Sequence, residues 1–300
     1  MPLSLEQALE RVPHWHGAAL TTSFLSGGIT NLNYRVDMDG EAYVLRLAGE
    51  DSELLGIVRE AEYAAHLAAA GIGLAPDVLY FIRPEGYLVT RFVEGRALPP
   101  EEIRRPKTIV RVVEAMHAYH ALPPIAWPFS PFRTVEAYAG TARRHGVALP
   151  GPFTAWHADL QTIEAALAAH AGALRLCHND LLNANFLDDG RLRILDWEYA
   201  GMGDIFFDLA NFAVHHDFTE ENDRFLLETY FAEPATSRRL ARLSLLKIAS
   251  DFREAMWGMV QLGISKLDFD FAEYADKHFR RMEARLQGPA FRRWLEEAGS

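Results

Sequence analysis

His178-Asn179-Asp180-Leu181-Leu182-Asn183-Ala184-Asn185, followed by Leu195-Asp196-Trp197-Glu198, is the stretch on which the reading of this chain turns. Asn185 stands five positions after Asp180, and Asp196 eleven positions after Asn185. Between them Asp188-Asp189-Gly190 is a strong turn signal flanked by two short apolar runs, Asn185-Phe186-Leu187 and Leu192 to Leu195. The pattern predicts a hairpin with a carboxylate, an amide oxygen and a second carboxylate around its rims. Phosphoryl transfer from a nucleotide needs those groups: a carboxylate to orient an attacking hydroxyl and accept its proton, and oxygen ligands for magnesium. Each residue alone reads as an ordinary Asn/Asp turn. The spaced set ahead of an apolar strand argues for a site.

Outward from this hairpin the chain divides in two. Ser4 and Gln7 form a capping-box pattern for a short helix. Strand-like runs follow at Leu20 to Leu25 and Asn33 to Asp37, and the Asp39-Gly40 turn leads into Glu41 to Leu47, where Tyr43, Leu45 and Leu47 share one face. An alanine- and glutamate-rich helix is expected from Ser52 to Ala70, ending at Gly71, and two more strands bracket Pro84-Glu85-Gly86. Past residue 94 the texture changes at Pro99-Pro100, and helices are expected near 101–121, 132–145, 154–171, 204–214, 219–231, 237–263 and 270–286. The expectation is an α+β chain with a small antiparallel-sheet lobe at 1–94 and a mostly helical lobe at 95–300.

Composition narrows the partners. Of 300 residues, 49% are hydrophobic and 24% charged, ordinary for a globular chain. Thirty basic against 41 acidic residues give a net charge of -11, the wrong sign for nucleic acid or an anionic membrane and a comfortable one for a cationic substrate. A single cysteine, Cys177, excludes an intrachain disulfide and CxxC metal or redox motifs, and reads as a buried small hydrophobe. With no apolar run of membrane length and no leader-like start, the expected compartment is the cytoplasm. No oligomeric state follows from these features.

The quoted motifs, HNDLLNANF and ILDWEYA, resemble the catalytic loop and metal-binding segment of the aminoglycoside phosphotransferase and choline kinase superfamily, relatives of protein kinases. The resemblance implies a two-lobed protein-kinase-like fold that uses ATP and Mg2+. It implies that Asp180 is the catalytic base, that His178 braces the loop and that Asn185 and Asp196 bind magnesium. Glu198 would reach a second metal or the substrate, and Asp208, in the following helix, would be structural. Ser26-Gly27-Gly28-Ile29-Thr30-Asn31 falls where the family places its nucleotide loop, and glycine there lets backbone N–H groups approach phosphate. Arg46 would neutralise the inner phosphates. Glu60 and Glu62 both qualify as its ion-pair partner, and the family spacing favours Glu62. Thr90 to Gly95, with Val93 in it, would be the hinge whose main chain meets adenine.

The acceptor side narrows the resemblance to choline/ethanolamine kinases. Trp257 and Tyr274 match aromatic positions of that group, and Tyr199 matches the tyrosine after its metal motif. Aromatic faces stabilise an ammonium by about 0.5 to 2 kcal/mol each. Where choline kinases carry a further tryptophan this chain has Glu254, one helical face with Trp257 and Gln261, a carboxylate suited to a protonated primary amine or a thiazolium. Expected is phosphorylation of a small cationic amino alcohol, choline or ethanolamine. Thiamine or an aminoglycoside are the alternatives within the superfamily, and a non-catalytic nucleotide-binding pseudoenzyme the alternative outside it. His215-His216-Asp217 looks like a metal cluster on paper, but neighbours on a helix point apart.

Overall fold

Alternation decides the N-terminal third: Tyr43, Leu45 and Leu47 are buried while Val44 and Arg46 occupy the other face of their strand. The computed structural model describes residues 3–26, 31–49 and 51–300. In chain order α1 (Leu5–Glu10) is closed by the Ser4/Gln7 capping box, and β1 (Thr21–Leu25), β2 (Asn31–Met38) and β3 (Glu41–Ala48) form a meander. Helix α2 (Arg59–Gly71) crosses to β4 (Val78–Ile82), which turns into β5 (Tyr87–Arg91). The antiparallel sheet has five strands in the order β1-β2-β3-β5-β4. Ala8, Val12 and Trp15 cover the face that carries Val36, Tyr43, Leu45 and Val89.

The expected continuous helix from Ser52 is broken. Ser52–Leu55 is a 3-10 turn, Gly56 takes φ +73°, and α2 begins only at Arg59. The left-handed glycine ends the first turn, as it does at helix C-termini. This break lets Leu55 and Ile57 enter the core of the larger lobe together with Ala65, Ala69 and Ala75.

Past β6 (Arg96–Ala97) the chain is mostly helical: α3 (Pro100–Ile103), α4 (Pro106–His120), α5 (Pro131–Arg144) and α6 (Phe153–Ala168). The single helix expected at 101–121 is two, because Pro106 pushes Arg105 into extended backbone and restarts the helix at N1. Strand β7 (Arg175–Cys177) then leads to the loop of interest, β8 (Phe186–Asp188) and β9 (Leu192–Ile194) make the expected hairpin, and β10 (Gly201–Gly203) returns beside β7. A Cβ on Gly201 would lie 2.9 Å from that of Phe129, so only glycine fits this approach. Helices α7 (Ile205–His215), α8 (Glu220–Phe231), α9 (Ser237–Ile264) and α10 (Phe271–Leu286) follow, then α11 (Phe291–Gly299), which the sequence reading did not anticipate. Helix α9 is a 28-residue rod whose middle is buried on nearly every side by α5, α7, α10 and α11. A helix enclosed on nearly every side must pair the charges it carries inward, and Asp251, Arg253 and Glu254 are all buried and ion-paired. Among the described residues no helix is long and apolar enough to cross a membrane.

Candidate active site

Asp208, fully buried at the start of α7, fixes the loop after β7 from below. Its Oδ1 accepts the Asn179 N–H at 2.7 Å; its Oδ2 accepts the His178 N–H at 2.9 Å and the Tyr119 hydroxyl at 2.7 Å. The contact with His120 Nε2 is 3.1 Å. Asn179 and Asp196 both take left-handed backbone, φ +67° and +60°, conformations that Asn and Asp tolerate best among residues with a Cβ. Held this way, Asp180 and Asp196 face one cleft.

His178 is buried and its pKa is lowered by that burial. As the neutral ring it donates from Nε2 to the Leu195 carbonyl at 2.9 Å and accepts the Asp180 N–H on Nδ1 at 3.2 Å, tying the loop to the segment before Asp196. The Asn185 side chain donates from Nδ2 to the Asp180 carbonyl at 2.8 Å, with Asp180 Oδ2 at 3.4 Å. With the nitrogen committed, the amide oxygen is left as a ligand. Asp196 accepts Arg46 Nη1 on Oδ1 at 2.8 Å and keeps its side chain 36% exposed. A free amide oxygen and a half-engaged carboxylate are hard oxygen donors, the chemistry magnesium prefers, so these residues fit the metal.

On the sheet side, Arg46 of β3 pairs with Glu62 of α2, the glutamate that spacing favours, while Glu60 pairs with Arg83 at the surface. Arg59 belongs to the same knot: Nη1 reaches Glu62 at 2.7 Å and Glu198 at 3.3 Å, and Nη2 donates to Asn31 at 3.0 Å. Asn31 in turn donates to Glu198 at 2.8 Å. Burial raises the Glu198 and Asp196 pKa values, and neighbouring Asp196 raises Glu198 further. The arginines oppose both shifts. Ser26 ends the described part of the first strand's exit, whereas Gly27 and Gly28 lie outside the described residues. Val93 lies in the segment between β5 and β6, away from the cleft lining.

The cleft has a volume of about 340 Å³, and Asp180, Asn185, Asp196, Glu198, Tyr199, Glu254, Trp257 and Tyr274 all border it. A larger hollow of about 590 Å³ lies beyond the Glu198–Tyr199 wall, against α5, but holds none of Asp180, Asn185 or Asp196. The chemistry therefore belongs to the smaller one. Trp257 Nε1 donates to the Tyr199 hydroxyl at 3.1 Å, and its ring stands edge-on to Phe271 and Tyr274. Gln261, a turn further on, is buried and does not border the cleft.

Two expectations about this wall change. Glu254 is not free to meet a substrate amine, because Arg253 Nη1 lies 2.5 Å from Oε1 and the Tyr274 hydroxyl donates to Oε2 at 2.7 Å. One face of Tyr199 is taken by the chain's own cation, the Arg253 guanidinium 4.2 Å from the ring centre. Sequence reasoning missed Arg253 and Arg59, and named His215 only within the metal-like triplet it set aside. His215 comes within 4.8 Å of Asp180 and Glu254, while its neighbour His216 turns away and bonds the Phe212 carbonyl. The adjacent pair thus diverges as helix geometry requires, and no sequence signal distinguished which member would face the site.

Comparison with known proteins adds to this geometry. Residues 21–246 match the phosphotransferase enzyme family. Ethanolamine kinase 2 of Rattus norvegicus is 29% identical over 319 aligned residues, covering 94% of this chain and 80% of that protein. A crystal structure of a choline/ethanolamine kinase family protein from Mesorhizobium loti superposes with a TM-score of 0.81 at 31% identity, covering 98% of each chain. The choline kinase LicA of Streptococcus pneumoniae has the same fold, with a TM-score of 0.77 at 23% identity over 92% of this chain and 96% of that one.

Proposed function

The chain belongs to the phosphotransferase enzyme family and, within it, to the choline/ethanolamine kinase family, and from that premise we propose that it moves the terminal phosphoryl group of ATP to the hydroxyl of ethanolamine or choline. The observation that carries the reading is the convergence of Asp180, the free amide oxygen of Asn185 and Asp196 on one cleft, with the Arg46–Glu62 pair already formed beside it.

In this proposal residues 1–94 hold the nucleotide and 95–300 supply the catalytic loop and the acceptor wall. Ser26, Gly27, Gly28 and Asn31 line the phosphates, Arg46 neutralises them with Glu62 holding its guanidinium, and the main chain at Val93 meets adenine. Magnesium, held by Asn185 and Asp196, supplies positive charge to the phosphate oxygens. Asp180 orients the acceptor hydroxyl and takes its proton as that oxygen bonds to the terminal phosphorus and the bond to the leaving diphosphate breaks. His178 keeps the loop in place through Leu195. Trp257 and Tyr274 offer aromatic surface to the ammonium, and Glu198 contributes negative charge near it. Cytoplasmic residence is part of the same reading.

The deciding experiment is magnesium-dependent ADP release with ethanolamine, its N-methylated derivatives, choline, thiamine and an aminoglycoside. Ethanolamine or choline should exceed thiamine and the aminoglycoside at least about tenfold in kcat/KM, a difference of about 1.4 kcal/mol in transition-state binding. ADP release that no acceptor accelerates would refute it.

A further inference from the structure

The segment from His178 to Asn185 contains no lysine or arginine, so the loop that carries Asp180 brings no cation of its own. Arg253 of α9 brings one. It is 1% exposed, and its Nη1 lies 3.3 Å from Asp180 Oδ1 and 2.5 Å from Glu254 Oε1. Removing a guanidinium from water is costly, and a well-packed apolar side chain would fill a purely structural position at least as well. Its place beside the base needs another account.

The distances supply it. The tight contact is with Glu254, which the Tyr274 hydroxyl fixes from α10 and His215 Nε2 approaches at 3.5 Å from α7. The looser contact is with Asp180. Glu254 therefore matches the charge of Arg253 and holds it, leaving the guanidinium to orient Asp180 through a single, longer ion-pair contact of 3.3 Å. The guanidinium lies over the Tyr199 ring, 4.2 Å from its centre, and its Nε and Nη2 are buried and have no hydrogen-bond partner among the described residues. Asn185 Nδ2 approaches the other oxygen of Asp180, so the two carboxylate oxygens are distinguished from opposite sides.

We propose that Arg253 is a positioning residue for phosphoryl transfer: clamped by Glu254 and seated over the Tyr199 ring, it fixes the carboxylate of Asp180 that receives the acceptor's proton. This deepens the kinase reading above and rests on it. A displaced base costs chemistry far more than binding, because about 1 Å of misplacement reaches a hundredfold in rate.

The test compares wild type with Arg253→Lys and with Arg253→Met/Glu254→Met, the double change avoiding an unpaired buried carboxylate. If the proposal holds, the double variant keeps its melting temperature and its KM for ATP while kcat falls about tenfold to a hundredfold, and Arg253→Lys, which keeps charge but not the planar fork, lies between. A folded double variant with kcat within threefold of wild type overturns it. Should the double variant fail to fold, Arg253→Lys decides alone: a threefold or greater loss of kcat at unchanged KM for ATP supports the role, and wild-type kcat overturns it. A wild-type protein inactive on every acceptor overturns both readings, whereas an active wild type with fully active variants overturns only this one.

Discussion

Asp208→Asn should cost both stability and turnover, and the structure sets the size of the loss. Asp208 Oδ2 has contacts to Tyr119, His120 and the His178 N–H, whereas Oδ1 serves only the Asn179 N–H. An asparagine keeps most of these bonds by placing its oxygen at Oδ2 and its NH2 at Oδ1. The Asn179 N–H then faces another donor, an unsatisfied buried group worth about 2 kcal/mol, and the surviving bonds lose their charged acceptor at roughly 0.5 to 1 kcal/mol each. Relief of the buried charge offsets part of this, leaving about 3 kcal/mol. With an unfolding entropy of about 0.6 kcal/mol/K for a chain of this length, the melting temperature drops by about 5 °C. Turnover falls as well, by about tenfold or more, because Asn179 loses the bond that holds its left-handed backbone next to Asp180. Differential scanning fluorimetry and steady-state kinetics on the same preparation check both. A melting temperature within about 2 °C of wild type together with unchanged kcat would refute the anchoring argument.

Asp180→Asn should spare stability: among the described residues the carboxylate has only the longer contacts to Arg253 and Asn185, so the fold and the affinity for ATP persist while turnover falls at least about a hundredfold. Near-wild-type rates in the folded variant would remove Asp180 from its role. The stability of the protein should also fall on acidification below pH 6.5, because burial lowers the His66 pKa to about 4 and that of His216 to about 3. Their folded values lie below the unfolded one, so the unfolded chain takes up protons first; each histidine removes about 1.4 kcal/mol per pH unit through this window, roughly 3 kcal/mol for His66 by pH 4. Urea midpoints between pH 6.5 and 5 should show a slope that His66→Gln reduces by about one proton, and an identical slope in the variant would contradict the shift.

What could be read from the sequence was what lies close together along it. The loop and hairpin that carry Asp180, Asn185 and Asp196 are continuous from His178 to Glu198, and their turn chemistry and spacing survive without knowledge of the fold. The meander was legible from alternation at Tyr43, Leu45 and Leu47. Helix interruptions were less so: Gly56 sat inside a run rich in helix formers, and only packing of Leu55 and Ile57 against the larger lobe decides for the break. The acceptor wall was the hardest part. Helical spacing put Glu254, Trp257 and Gln261 on one face, and the structure brings the first two but not Gln261 to the cleft; whether a carboxylate is free depends on partners elsewhere, and its neighbour Arg253 reaches Asp180 across 73 positions. Periodicity carries no information about such a pair.

The placement of α2 has a consequence for control. Ala65 and Ala69 on this helix pack into the core of the helical lobe, while Glu62 on the same helix grips Arg46 of the sheet. A helix rooted in one lobe and bonded to the other cannot swing outward without opening a hydrophobic core, so rotating it is a poor on/off device. Arg46, which in the proposed reaction meets the phosphates, is already paired with Glu62 within the fold itself, so binding does not have to assemble that pair. Helix α2 thus acts as a strut between the sheet and the helices, and a change at either end would be felt at the other.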